Sequence, residues 1–249
     1  MRLLILAAVA ASFSLSACNN KSATAQQQTE MVKSIEKPHI ATPEEWRKAL
    51  DSTYTTNKST TTDDDGVTRF AARFPPSQEG AKDAYVLLGT YDAMRKRTFF
   101  YSFFASPTLD IGSSVKPYIS LSDNSYPILM IAPYYFSKNG WLFMSRLTIM
   151  VDGKIILDRD FSQEEVARDV ESYGVQERYD FYASPEEIAG MRSIRNSSQL
   201  TLRLTGKKGF ITVPKKETEG IRTAIVDVVR GYDAVSQHLA GHIPPETSR

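Results

Sequence analysis

A single cysteine in 249 residues rules out an intramolecular disulfide and a cysteine-built zinc site, so Cys18 has to be read alone. Three histidines, His39, His238 and His242, leave little material for imidazole chemistry. Charge of one sign is also missing. Thirty Lys and Arg against 29 Asp and Glu give a formal net charge of +1, which supplies no long-range field toward nucleic acid. No apolar run approaches the roughly 20 residues that a retained membrane helix needs. What remains, 41% hydrophobic and 24% charged, is ordinary globular composition, which disfavours collagen, coiled coil and disorder throughout. At about 150 residues per domain, the length suits one packed domain with extra segments.

The chain opens with Met1-Arg2, an apolar stretch from Leu3 to Ala11, and Ser12-Phe13-Ser14-Leu15-Ser16-Ala17-Cys18, followed at once by polar Asn19-Asn20-Lys21. One positive charge, a short apolar region and small residues at a cut are the parts of a signal peptide. Leu15-Ser16-Ala17-Cys18 resembles the lipobox of bacterial lipoproteins. The resemblance implies that the Cys18 thiol takes a diacylglyceryl group, with palmitate-type chains, and that the lipoprotein signal peptidase cuts before it. A thiolate flanked by small residues suits that chemistry. Two or three acyl chains exceed the two signals that stable anchoring requires, so the expectation is a membrane-anchored chain that does not span. In Gram-negative lipoproteins an Asp after the Cys retains the protein in the inner membrane; Asn19 stands here, which implies the periplasmic face of the outer membrane. Removing residues 1–17 takes away Arg2 and no acid, so the mature chain is formally neutral.

Residues 18–80 read as an acylated cysteine and polar tether, because Gln, Thr, Asn and Asp tracts bury too little apolar area to offset backbone entropy. A short helix near 43–51 interrupts it, capped by Thr42 with Pro43 at its first position. The globular domain is assigned to 81–240, and 241–249 to a flexible tail. Strands are expected over 84–91, 97–104, 116–121, 127–132, 141–151 and 154–158, with Asp152-Gly153 turning the clearest hairpin. Ser184-Pro185-Glu186-Glu187 is a capping box that opens a helix to Asn196. Residues 200–204 and 210–213 form a second hairpin, and a last helix spans 215–239. Strands first and two helices late predict an α+β fold with a mainly antiparallel sheet, sandwich-like or curved.

Candidate chemistry is sparse. With Cys18 assigned to lipid and the histidines outside the domain, triad catalysis lacks a base, and no nucleophile elbow occurs. His238 and His242 have a spacing found in zinc sites, but Gly241 and Pro244-Pro245 end the helix there and no Glu follows His238. Neither metal nor cofactor is expected. Glu164-Glu165, Glu186-Glu187 and Asp158 with Asp160 are carboxylate pairs that suit glycoside hydrolysis only if they face across a cleft; otherwise they are solvated element ends. Two binding surfaces stand out. Tyr134, Tyr135, Phe136 and Trp141 cluster aromatics around a turn, either as a stacking platform or with alternate members in the core. Lys207, Lys208, Lys215 and Lys216 bracket a hairpin, either as an anion site or as edge lysines that discourage strand addition. The combined reading is a periplasmic, membrane-anchored lipoprotein acting as a non-enzymatic binding, inhibitor or immunity, or assembly-support module, whose partner is another envelope protein or a glycan and not nucleic acid. The alternative is an envelope hydrolase acting on glycan or lipid.

Overall fold

A computed structural model describes residues 39–56, 60–75, 85–105 and 112–245. The chain divides into Met1–Lys37 and Pro38–Arg249, and every described residue belongs to the second unit. The leader and Cys18 therefore lie outside the described residues.

In chain order the elements are β1 (His39–Ile40), α1 (Pro43–Asp51), β2 (Thr55–Thr56), β3 (Thr61–Thr62), β4 (Val67–Phe74), β5 (Tyr85–Asp92), β6 (Arg97–Ser102) and a 3-10 turn (Phe103–Ala105). Then follow β7 (Ser114–Ser122), β8 (Ile128–Ser137), β9 (Met144–Val151), β10 (Lys154–Asp160), β11 (Ala167–Glu171), β12 (Gly174–Arg178), β13 (Phe181–Tyr182) and α2 (Pro185–Arg192). The chain closes with β14 (Leu200–Gly206), β15 (Gly209–Thr212), α3 (Lys215–Leu239) and β16 (His242–Ile243). The fold is α+β and mainly antiparallel. A large sheet runs β11-β12-β8-β7-β6-β5-β4-β2, with β13 also on β8 and β3 also on β4, and a smaller one runs β10-β9-β14-β15.

Helix α3 ties the two sheets together. Its apolar stripe, Ile221, Ala224, Ile225, Val228, Val229 and Val235, is buried, and it packs on β5 to β8 of the large sheet and on β14 of the small one. Each Val or Ile of the stripe contributes about 1.5–3 kcal/mol on burial. Gly231 sets the approach: a Cβ there would sit 2.7 Å from Leu87 Cδ1 and 3.2 Å from Ile119 Cδ1. Among the described residues no helix is long and apolar enough to cross a membrane.

Three expectations change. First, the chain from residue 39 belongs to the folded unit, so the polar stretch is not a tether as far as residue 80. β4 pairs along its whole length with β5, and Trp46, Ala72 and Phe74 are in the core. A strand with one buried face needs apolar residues only at alternate positions, and Phe70, Ala72 and Phe74 suffice. Second, the tail from 241 is held in part, because β16 pairs in parallel with β1 and Pro245 is buried. Third, the strand expected to begin at Trp141 begins at Met144, after Phe143 adopts φ 55°. The β11–β12 hairpin carries few buried residues and left no alternating apolar signal. The Asp152-Gly153 turn is as expected, with φ 49° and 83°.

Candidate functional site

The face of the large sheet that receives α3 extends beyond it, and α1 stands over that extension. The register places Thr68 opposite Tyr91, Tyr91 opposite Thr98, and Thr98 opposite Leu121, so one cross-strand row runs over β4, β5, β6 and β7. In the next row Phe70 faces Gly89. A Cβ on Gly89 would collide with the Phe70 ring, so this glycine lets the ring lie flat across its neighbour strand. Between this floor and α1 is a groove of about 560 Å³, walled by Trp46, Arg47, Leu50, Asp51 and Tyr54 and closed at one end by Ser122, Asp123 and Asn124.

Why α1 forms here is local. Thr42 Oγ1 accepts from Glu45 N at 3.2 Å and Glu45 accepts from Thr42 N at 2.8 Å, a complete capping box, with Pro43 preset for the first turn. The helix is anchored by Trp46, whose ring meets Tyr126 edge-on at 5.4 Å. Trp46 Nε1 is buried and has no hydrogen-bond partner among the described residues.

The groove combines aromatic faces, hydroxyls and carboxylates. Tyr91 Oη donates to Asp123 Oδ2 at 3.3 Å. Burial, then the Asp123 charge, raises the Tyr91 phenol above its ordinary value. Burial, with Asp51 adding to it, pushes Tyr54 up to about 12. Both are neutral donors at physiological pH. Glu44, Asp51 and Asp123 oppose Arg47 alone, so the lining is net negative and repels phosphate and other anions. Rings that contact C–H faces, beside groups that accept and donate hydrogen bonds, suit a neutral polyhydroxylated ligand.

The residues singled out from sequence fare differently. Tyr134 and Tyr135 are both buried: Tyr135 enters the core with Oη on Gly140 O at 2.9 Å, while Tyr134 Oη reaches Gln176 Oε1 at 2.9 Å. Trp141 is half-buried, so the four aromatics alternate between faces and form no exposed platform. Lys207 and Lys208 lie at the β14–β15 turn, whereas Lys215 and Lys216 open α3 at the other end of β15. Four strand residues, at roughly 3.3 Å each, put about 13 Å between the pairs. The lysines do not gather. Lys208 Nζ lies 5.3 Å over the Phe143 ring. His238 Nδ1 is 2.9 Å from Ala234 O and His39 Nε2 is 3.1 Å from Glu45, and no metal-competent cluster occurs among the described residues. Of the carboxylate pairs, Glu187 holds Arg159 in a fork at 3.0 and 2.7 Å while capping α2, and Asp158 pairs with Arg146.

Two features had no sequence signal. The groove is assembled from α1 and four strands, and its row depends on register. Glu177 is fully buried and accepts from three successive backbone amides, Leu142, Phe143 and Met144, at 2.6, 2.8 and 2.6 Å. Comparison with protein-family models, curated proteins and solved structures found no match to this chain.

Proposed function

We propose that this chain is a lipid-anchored, non-enzymatic binding module of the bacterial cell envelope, held through acyl groups on Cys18 at the periplasmic face of the outer membrane, and that the groove beneath α1 binds a neutral glycan. The anchoring part rests on Leu15-Ser16-Ala17-Cys18 and Asn19. The binding part is carried by one observation: a cross-strand row in which Thr68, Tyr91 and Thr98 stay half-buried before it ends at buried Leu121, roofed by α1 with the half-buried Tyr54 ring beside it. The three histidines line no part of that groove.

Cys18→Ser should leave the precursor uncut and unacylated in metabolic palmitate labelling. Normal processing of this variant, with membrane retention after a high-salt wash, would refute the anchor. For the groove, the full chain is titrated by calorimetry with chitotetraose and cellotetraose, and with spermidine as a cationic control. An oligosaccharide should bind saturably, and Tyr91→Ala should weaken it by about tenfold through loss of a stacking face. Binding of spermidine alone would assign the groove to a cation. Release of new reducing ends during the titration would instead support the hydrolase reading, for which Glu44, Asp51 and Asp123 are the carboxylates in the lining.

A further inference from the structure

A second cleft, of about 310 Å³, lies between the Phe103–Ala105 turn, the start of β7 and the first turns of α3. Its walls are apolar, with Phe104, Ala105, Val115 and Ile221. Space opens because Gly220 sends no side chain toward Phe104, whose Cβ lies 3.8 Å from where a Gly220 Cβ would stand. At the lip, Phe103 and Phe104 are 62% and 53% exposed and meet edge to face at 5.9 Å. Single exposed apolar residues are ordinary, but a ring pair continuous with an apolar cleft is a binding surface.

One cation at the rim is left to meet a head group. Among the described rim residues Lys116, Lys216 and Glu217, Lys116 already has a partner. Lys116 Nζ sits 4.5 Å over the Tyr134 ring, and the Glu217 carboxylate lies against Gly112, 3.3 Å from where its Cβ would be. Lys216 is exposed and makes no ion pair or hydrogen bond among the described residues. The volume is at the small end of ligand pockets, which run from about 300 to 1,000 Å³, and so suits one chain and not two. We infer that this cleft binds a medium-length free fatty acid, its tail against Phe104, Val115 and Ile221 and its carboxylate at Lys216. This inference depends on neither the lipobox nor the glycan groove.

The test uses the full chain carrying Cys18→Ser, so that no acyl group of its own competes, titrated with laurate. One-site saturation is expected, with dodecyltrimethylammonium weaker by about tenfold because the cationic head meets Lys216. Gly220→Leu fills the cleft and should weaken laurate by about tenfold or more, the worth of two buried methylenes. Leucine is the better helix former, so the unfolding midpoint should not fall. Lys216→Glu, on the surface, should weaken laurate by about fivefold without touching the core. Equal affinity for the cationic amphiphile, or unchanged laurate binding in both variants, would overturn the site. Tighter binding of lysophosphatidylglycerol than of laurate would overturn the free acid in favour of a membrane lipid.

Discussion

Glu177→Ala should destabilise the chain by roughly 4–6 kcal/mol, since each buried donor left unpaired costs about 1–3 kcal/mol and three lose their acceptor together. Three consecutive amides converging on one anion form a nest. Here the anion is internal, a side chain from β12 of the large sheet gripping the entry to β9 of the small one. The same grip holds Phe143 at φ 55°, and from there the effect spreads: Lys207 N donates to Phe143 O and Lys208 N to Leu142 O, both at 3.2 Å, which docks the β14–β15 turn. Arg168 Nε, 3.6 Å from the carboxylate, would also lose its counter-charge. Glu177→Gln keeps the volume and one acceptor but turns an amide donor toward a backbone donor. It should recover part of the loss, about 2 kcal/mol. Urea unfolding of the three chains measures this. A Glu177→Ala midpoint equal to that of the parent would mean that water satisfies the nest and the sheets are held by α3 alone.

How much of this was legible depends on what each signal reports. The Asp152-Gly153 hairpin, the start of α2 and the span of α3 were readable because each is local, a turn dipeptide, a capping box and a stripe at helical period, and the α+β class followed from the order of such elements. β4 was not readable. Phe70, Ala72 and Phe74 do alternate, but the neighbours Asp63-Asp64-Asp65 and Thr60-Thr61-Thr62 are polar and masked the strand, and pairing with β5 is what carries its inner face into the core. The binding surfaces failed for the same reason in reverse. Clustering in sequence suggested Tyr134 to Trp141 and the four lysines, yet adjacent Tyr134 and Tyr135 are both buried, Phe136 and Trp141 are half-buried, and the length of β15 separates the lysines. The groove joins residues 43 to 124, and no short window contains it. Glu177 is the sharpest case, an acid inside Gly174–Arg178 whose neighbours read as a solvated strand, buried only because a nest from another sheet closes on it.

Trp46→Ala decides whether α1 is an appendage or a structural part, and the expected loss is about 3–5 kcal/mol, the usual cost of emptying a large buried aromatic site. Trp46 is 1% exposed, joins the main core cluster and packs edge-on against Tyr126. Tyr126 in turn donates to His242 O, so the tryptophan supports the point where β1 and β16 pair. The chain has only two tryptophans, and removing one leaves Trp141, beside the Glu177 nest, as the sole tryptophan reporter. If α1 is integral, the Trp141 transition itself should move to lower denaturant by the full amount, because unfolding is one cooperative event. Thr42→Ala, which breaks only the capping box, should cost about 1 kcal/mol and serves as the local comparison. Oligosaccharide binding in the groove should also vanish in Trp46→Ala, since its roof is lost. A Trp141 midpoint unmoved by Trp46→Ala, with the groove ligand still bound, would detach α1 from both the core and the site.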